Sequence, residues 1–271
     1  MAGIQRVLLV YDGWASLLQV HPAWQFRPGG DRAVTTSIII TTFNRNDQLS
    51  RTLASIRRQG FDGEIIVVDD GDGRHGHPPA RFLCEQFDVV YIPCRRSPSV
   101  SFRNPAYPNN VGIRAAAGDV VILQNAECRH VDPQAIEKLT SMVTEGNAVF
   151  ARVTALGPDG SPSMTYCGPE NPRPYFFCGA IQRNLLLRLR GFDEDFTGAG
   201  YDDDDLADRL AGEGLEFVYS DIQVEHQWHE PAGVYADVGA MRDLYEGKTA
   251  AMLRGELGTV RNVGRDWGGR A

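Results

Sequence analysis

The chain has 271 residues, 42% of them hydrophobic, and a formal net charge of −8 with a pI near 5.3. This length allows one large domain or two small ones, and the acidic balance argues against a broadly basic nucleic-acid-binding surface while leaving a local basic groove open. No apolar run approaches the length of a membrane span. The five cysteines form no CxxC pair and are odd in number, so we expect a reduced, cytoplasmic setting.

Residues 1–33 differ from the rest of the sequence. The apolar run 7–10 can form a strand, residues 14–18 contain side chains that can pack, and a Pro-Gly-Gly-Asp break follows at 28–31. We expect an N-terminal extension at 1–33 that forms an added strand or a hairpin. Asp12 interrupts the apolar stretch and no cleavage site follows, so the sequence does not indicate a signal peptide.

Four apolar runs rich in β-branched residues follow, and each is typical of a strand buried on both faces. They lie at 36–43, 64–68, 89–92 and 119–123. Helices are predicted between them, one from Asn46 as its cap to Gly60 and a short one through 115–117. Strands that alternate with helices predict an α/β sandwich with a mostly parallel sheet.

The second half of the chain mixes helices, strands and one long loop. The predicted elements are a helix capped by Asp132-Pro133, a strand at 149–153, a proline-rich loop at 158–174, a helix at 185–189, a helix opened by the acids at 202–205, a strand at 215–219, a helix at 237–254 and an irregular end at 263–269. We expect three units: the extension at 1–33, a core domain at 34–232, and a C-terminal helix and tail at 233–271.

Polar side chains follow three of the predicted strands. The three groups are 42–44, 69–70 and 124–127. Ligands of such sheets bind at the carboxyl ends of the strands, so we expect the three groups to border one pocket. The Asp-Asp-Gly-Asp-Gly run that begins at Asp69 is also a good turn sequence, which leaves a purely structural interpretation open.

Four consecutive carboxylates, Asp202 to Asp205, precede a short amphipathic run. Leu206 and Leu210 share one helical face, so the acids open a helix, where the helix dipole favours negative charge. A solvated helix start is the simplest interpretation. However, four adjacent carboxylates repel one another more than capping requires, and the preceding loop at 191–200 is placed to deliver them to a site.

Taken in order, these pieces resemble the nucleotide-sugar glycosyltransferases of the GT-A fold, of the large family-two type. The matching pieces are 37–45, 65–71, 110–127, 178–181, 191–196 and 202–206. The last two also resemble the carboxyl half of the β-1,4-galactosyltransferases and of the polypeptide N-acetylgalactosaminyltransferases. The resemblance implies a Rossmann-like three-layer sandwich over 34–232.

The same resemblance implies transfer of a hexosyl or N-acetylhexosaminyl group from a nucleotide-diphosphate donor to an acceptor hydroxyl. UDP is the expected carrier, and the acceptor is expected to be a glycan or a protein, with a modified nucleobase less favoured. Donor-binding roles fall by resemblance on Thr42, Asn44, Arg45, Asp69, Asp70 and Asn125. Either Asp69 or Asp70 would bind the nucleoside, and Arg45 could approach a phosphate. Gly179 and Ala180 would let the backbone approach the donor sugar.

Relatives hold Mn²⁺ or Mg²⁺ with an Asp-x-Asp motif after the fourth strand, and here that motif reads Asn125-Ala126-Glu127. Glu127 can still bind a hard cation, but the lost charge would weaken metal affinity and opens the question of whether the metal is needed. Relatives often add a histidine from the region of His226 and His229, and His226 is the slightly preferred candidate.

An inverting transferase needs a base for the acceptor hydroxyl. Asp203 matches the base of the relatives, Asp202 replaces the Glu that contacts the acceptor, and Asp205 is expected to cap its helix. The neighbouring charges should raise the pKa of one of these acids. We also expect the 158–174 loop, and a tail containing Trp228, Arg261, Arg265 and Trp267, to form an acceptor rim or lid.

Alternative functions remain open from the sequence. A retaining transferase on the same fold would not need Asp203 as a base, and a catalytically inactive domain would bind a sugar nucleotide or a glycan as a module. A nucleotidyltransferase would normally have a Gly-rich phosphate loop after the first strand, which this chain lacks. Gly247-Lys248-Thr249 is not a P-loop, because the glycine five residues earlier is absent.

Overall fold

The computed structural model describes residues 5–11, 14–20, 34–71, 79–94, 104–230 and 238–269. The first two ranges form an antiparallel hairpin of strands β1, Gln5–Tyr11, and β2, Trp14–Val20. A hairpin is one of the two forms expected for this part of the chain. The predicted break at 28–31 and the glycine-rich turn beyond Gly71 lie outside the described residues.

One mixed sheet forms the centre of the described structure. Its strands are β3 (Thr36–Thr42), β4 (Glu64–Asp69), β5 (Val90–Pro93), β6 (Val120–Asn125), β7 (Cys128–His130), β8 (Asn147–Leu156), β9 (Pro162–Tyr166), β10 (Cys178–Gln182) and β11 (Glu216–His226). They are ordered β5-β4-β3-β6-β10-β8-β11-β7, with β9 paired to β8. Only β7, β9 and β10 run against the other strands, so the predicted mostly parallel sheet is confirmed.

Helices cover both faces of this sheet. They are α1 (Asn46–Arg57), α2 (Arg81–Gln86), α3 (Ala106–Ala115), α4 (Ala135–Met142), α5 (Arg183–Leu189), α6 (Asp202–Gly212) and α7 (Val238–Leu253). One apolar core joins the sheet to α1, α2 and α4, and a second joins its other face to α3, α5 and α6. The result is the predicted three-layer α/β sandwich.

Strand β3 shows why the apolar runs became central strands. All seven of its residues are buried. Ile38 and Ile40 face the first core, while Ile39 faces the second. A strand buried on both faces needs continuous rather than alternating hydrophobicity, and that is the pattern on which the prediction rested.

Several predicted boundaries were wrong. The short helix expected at 115–117 lies earlier, at α3, and ends at Ala115. The predicted loop 158–174 contains β9, and the strand expected at 215–219 extends to His226 as β11. Asn46 does not cap α1, because the N-cap is Arg45 and no side chain bonds the helix start.

The end of the chain packs against the α/β domain. Trp267 is only 8% exposed and Arg261 only 4%, and the Asn262 side chain donates to the carbonyls of Arg190 and Phe192 at 2.8 and 2.7 Å. The expectation that Arg261 and Trp267 belong to an acceptor rim or lid is therefore wrong, because both side chains are inside the protein. No helix within the described ranges is long and apolar enough to cross a membrane.

Candidate functional site

The ends of three parallel strands meet at one pocket. Thr42 of β3 is paired in register with Asp69 of β4, and Thr41 with Asn125 of β6, so all three strands end at the same level of the sheet. The pocket has a volume of about 150 Å³ and is lined by Thr41, Thr42, Phe43, Asp70, Pro105, Pro108, Asn125 and Glu127. The structure thus brings Thr42, Asp70, Asn125 and Glu127 together, as the strand-end pattern predicted.

Thr42 lines this pocket and has a buried hydroxyl group. The residue is 4% exposed, and its Oγ1 has no hydrogen-bond partner among the described residues. Buried polar atoms are nearly always satisfied, and an exception needs an explanation. A bound ligand would supply the missing partner.

Asp69 and Asp70 have different surroundings. The Asp69 carboxylate accepts hydrogen bonds from Gly71 N at 2.8 Å, Ala80 N at 2.9 Å and the Tyr91 hydroxyl at 3.1 Å. Asp69 therefore holds the turn after β4, which is the structural role the sequence left open. Asp70 lines the pocket and is the better placed of the two to meet a ligand.

Arg45, Glu127 and His229 form a charged cluster next to the pocket. Arg45 Nε lies 3.2 Å from Glu127 Oε1, and Arg45 Nη2 lies 3.1 Å from His229 Nδ1 and donates to the Glu230 carbonyl at 3.0 Å. Asn44, just before Arg45, has a positive φ of 54°, and a Cβ on Gly71 would lie 3.0 Å from its Oδ1. The loops after β3 and β4 are therefore in close contact, and Asn44 helps to shape the pocket edge.

The two histidines of the segment after β11 differ in their access to Glu127. His229 Nε2 lies 3.7 Å from Glu127 Oε1. The ring centroid of His226 lies 5.3 Å from that of His229 and 5.6 Å from that of Phe177. Burial lowers the pKa of His226, and the nearby Glu127 carboxylate opposes this shift. Trp228 between them is 41% exposed, and its carbonyl accepts from Gln48 Nε2 at 3.2 Å.

The donor atoms suit a metal ion that arrives with phosphates. Across the described ranges, no group of three or more His, Cys, Asp or Glu side chains converges as a ligand set. A cation bound largely by substrate phosphates, however, needs only one or two protein ligands. Glu127 Oε1 and His229 Nε2 lie 3.7 Å apart, so these two side chains would hold such an ion together with the phosphates. The pair Glu127–His229 therefore fits better than Glu127–His226.

Asp202 and Asp203 begin helix α6 as a pair of perturbed acids. Asp202 is 5% exposed, its Oδ1 accepts from Asn104 Nδ2 at 3.2 Å, and its Oδ2 has no partner in the part of the chain that the structure describes. Burial raises the pKa of Asp202 to about 6. Burial and the neighbouring Asp202 carboxylate raise the pKa of Asp203 well above its usual range, as predicted for one of these acids.

Two bridges connect these acids to the pocket. The Phe176 amide donates to the Asp203 carboxylate, and the next residue, Phe177, accepts from the Asn125 amide through its carbonyl at 3.2 Å. On the other side, Asn104 contacts Asp202 and precedes Pro105, which lines the pocket. The sequence reasoning missed Asn104, although an Asn-Pro pair before a helix is a known turn signal, and Asn104 Oδ1 does accept from Ala106 N at 2.8 Å.

Asp204 and Asp205 are used for ion pairs. Asp204 accepts from Arg173 at 2.6 Å. Asp205 is buried and pairs with Arg209 at 2.7 Å and with Arg261 at 3.0 Å. No side chain caps α6, so the expectation that Asp205 is a helix cap is wrong. Its partners attach α6 to the rest of the protein instead.

Gly179 and Ala180 lie inside the sheet rather than at the pocket. Both pair with β6 on one side and β8 on the other, and a Cβ on Gly179 would lie 3.0 Å from the Phe150 ring and 3.3 Å from Phe176. Aromatic rings therefore fill the space that the glycine leaves. This position contradicts the expected approach of the donor sugar to these two residues and explains the glycine by packing.

Comparisons with known proteins agree with this fold. The family model described as "Glycosyl transferase family 2" matches residues 37–206, more than half of the chain. The chain is 24% identical over 253 residues to a chondroitin synthase of Pasteurella multocida (strain Pm70), a match that covers 75% of this chain and 25% of that protein. The chain thus spans only a quarter of the length of this relative.

Two solved structures show the same fold. A mannosyltransferase from Pyrobaculum calidifontis in complex with GDP-Man and Mn²⁺ superposes with a TM-score of 0.55 at 18% identity, covering 86% of this chain and 69% of the other. Glucosyl-3-phosphoglycerate synthase from Mycobacterium tuberculosis, in complex with Mn²⁺, UDP and glucosyl-3-phosphoglycerate, gives a TM-score of 0.52 at 17% identity, with coverages of 85% and 82%.

Proposed function

Because the chain belongs to glycosyl transferase family 2 and is a glycosyltransferase that uses a nucleotide sugar, we propose that it transfers the sugar from a UDP-sugar with inversion at the anomeric carbon. The observation that carries this proposal is the pocket at the ends of β3, β4 and β6. Polar groups suited to a nucleotide line it, and two acids with raised pKa values, Asp202 and Asp203, are connected to it through Asn104 and Phe176.

In this proposal the nucleotide lies along the strand ends. Asp70 accepts the ring N–H of the base, and the Thr42 hydroxyl gains the partner it lacks. Asn125 lines the same wall. Arg45 supplies positive charge for the diphosphate. Its guanidinium lies at the edge of the site, where it contacts Glu127.

Glu127 and His229 would hold Mn²⁺ or Mg²⁺ together with the donor phosphates, and the His226 ring lies beside that of His229. When bound, the ion supplies counter-charge to the leaving diphosphate. Mn²⁺ in the complexes of two similar folds supports this assignment. Asn125 at the first motif position contributes no formal charge, so we expect weaker metal affinity than an Asp-x-Asp site would have.

Asp203 acts as the base for the acceptor hydroxyl. A raised pKa brings a carboxylate closer to the operating pH, where general-base catalysis is most efficient. Asp202, buried beside it, faces the acceptor side. The 158–174 segment and the exposed Trp228 form the acceptor border in this proposal, and the likeness to a chondroitin synthase supports a glycan acceptor over a protein.

The five cysteines are buried free thiols, which supports a reducing, cytoplasmic setting.

A donor panel tests this function. The release of nucleoside diphosphate is measured for UDP- and GDP-linked sugars with and without Mn²⁺, using glycan acceptors, and NMR of the product identifies its anomer. We expect turnover with a UDP-sugar, stimulation by Mn²⁺ and an inverted product. A product that retains the anomer would exclude Asp203 as the base that inversion requires.

Thr42→Val tests the role of the pocket in donor binding, because this substitution removes only the hydroxyl. It should weaken donor affinity about fivefold, which corresponds to a net hydrogen bond of about 1 kcal/mol. Binding without turnover across the panel would support the alternative of an inactive sugar-nucleotide-binding module. If the protein neither binds nor turns over any donor of the panel, the proposal as a whole is contradicted.

A further inference from the structure

A buried ionic network lies behind the two acids of helix α6. Asp193 and Asp205 are each 1% exposed, Arg209 is 0% exposed and Arg261 is 4% exposed. Arg261 Nη2 donates to Asp205 Oδ1 at 3.0 Å, and its Nε lies 3.3 Å from Asp193 Oδ2. Arg261, from the C-terminal segment, therefore contacts both the loop before α6, at Asp193, and α6 itself, at Asp205.

Each carboxylate of the network also has a second cation. Arg209 Nε donates to Asp205 Oδ2 at 2.7 Å, and Lys248 of α7 pairs with Asp193. Arg261 is therefore not needed to neutralise either carboxylate. What it adds is a link between them, since it alone in this network contacts both. Its own backbone N–H is fixed by the Leu189 carbonyl at 3.2 Å.

The network contacts the first turn of α6 through Asp205. Asp205 lies one helical turn after Asp202, and its amide donates to the Tyr201 carbonyl at 3.0 Å. Tyr201 adopts a positive φ of 68°, so the chain turns sharply into the helix without a side-chain cap. The position of the first turn therefore depends on what holds Asp205, and Asp202 and Asp203 are in that turn.

We propose that Arg261 is a positioning residue for the proposed transfer reaction: it links Asp193 to Asp205 and thereby holds Asp202 and Asp203 at the pocket. The inference rests on the proposed function for its catalytic consequence. A displacement of about 1 Å at a reacting group can cost 10²-fold in rate, so loss of this link should reduce kcat while leaving the nucleotide pocket at the strand ends intact.

Arg261→Met is the test variant. It should remain folded, because Asp193 keeps Lys248 and Asp205 keeps Arg209. We expect kcat to fall about 10- to 100-fold with the donor KM changed less than about twofold. The acid limb of the kcat profile should move to lower pH, because a loosened first turn exposes Asp203 to water and lowers its pKa.

Arg254→Met is the matched control. Arg254 lies seven residues before Arg261 and pairs with Glu256 at 2.7 Å, but both side chains are more than 50% exposed, and exposed pairs contribute little. We expect wild-type kcat and pH profile for this variant. An equal loss in both variants, or a wild-type kcat in folded Arg261→Met, would overturn the proposal.

Hydrogen exchange tests the link without any substrate. Amides of 202–206 should exchange at least tenfold faster in Arg261→Met than in the wild type and in Arg254→Met. If the wild-type protein shows no turnover with any donor, the proposed function fails but this measurement still decides the positioning. Unchanged exchange at 202–206 would overturn it.

Discussion

At the scale of single residues, the site depends on two adjacent carboxylates, Asp202 and Asp203, whose negative charges repel each other. Burial disfavours ionisation of Asp202, with smaller contributions from the charges of Asp204 and Asp205, and the Asp202 charge adds to the burial of Asp203. A proton held by one of them lowers the cost of ionising the other. The pair can therefore provide one ionised carboxylate near neutral pH without leaving two uncompensated buried charges.

Asp202→Asn should move the acid limb of kcat/KM to lower pH. Loss of the Asp202 charge lowers the pKa of Asp203, so the base becomes ionised at lower pH. The pH dependence of kcat/KM for the donor measures this shift. Asp208→Asn, on the same helix but bonded to Tyr245 and Thr249, is the control and should leave the limb in place. A limb that does not move in Asp202→Asn would show that the two acids are not coupled.

Sequence reasoning found the residue types of the site better than their partners. The strand-end pattern identified Thr42, Asp70 and Glu127, because the carboxyl ends of parallel strands converge. It could not choose between Asp69 and Asp70, because that choice depends on Ala80 and Tyr91, which contact Asp69. It also could not predict that Arg45 pairs with Glu127, since 82 residues separate the two in sequence.

At the scale of elements, hydrophobic runs predicted the buried strands β3, β4 and β6 well. The same rule missed β7, β9 and β10, and β10 has only five residues, one of them a glycine. Strand β9 is mostly exposed and begins at a proline, so its sequence looks like a loop, and only its pairing with β8 makes it a strand. Strand β7 has three residues, too few for a periodic pattern. Edge strands are defined by their neighbours more than by their own sequence.

Gly179→Ala should destabilise the fold without changing donor binding. The added methyl would lie 3.0 Å from the Phe150 ring, and overpacking of a core costs about 1–3 kcal/mol. Denaturant unfolding measures the loss, and Phe150→Leu in the same chain should recover part of it. Gly247→Ala is the control: nothing lies within 4 Å of its Cβ, and alanine in a helix should stabilise by about 1 kcal/mol. A raised donor KM with unchanged stability in Gly179→Ala would instead place the donor sugar at this strand.

At the scale of the whole molecule, the two cores lie on opposite faces of one sheet. A chain of hydrogen-bonded polar side chains centred on His130 is attached to this sheet. His130 Nδ1 accepts from Gln59 Nε2 at 2.8 Å, and its Nε2–H donates to Gln124 Oε1 at 2.8 Å. Both amides are oriented by further bonds, since Gln59 Oε1 accepts from Ile136 N and Gln124 Nε2 donates to the Cys128 carbonyl. These contacts suit a neutral imidazole.

The protein should lose stability on mild acidification because of His130. Burial lowers the pKa of His130 from 6.5 to about 4, so this stability is present above pH 6.5 and is lost as the pH falls from 6.5 towards 4. The full effect is about 3 kcal/mol. Urea unfolding of the wild type and of His130→Gln at several pH values measures it, and the variant should show a smaller loss over this range. Equal slopes would contradict the assignment of a neutral buried imidazole. The raised pKa of Asp202 acts in the opposite direction, so the difference between variant and wild type is the relevant quantity.

The measurement that tests the central claim most directly is turnover and donor binding by Asp203→Asn. A general base contributes about 10²–10⁴-fold, so turnover of the donor identified by the panel should fall by at least 10²-fold. The dissociation constant of the donor, measured by calorimetry, should stay within about twofold, because the strand-end pocket is unchanged. Turnover at the wild-type rate in Asp203→Asn would contradict the assignment of this carboxylate as the base.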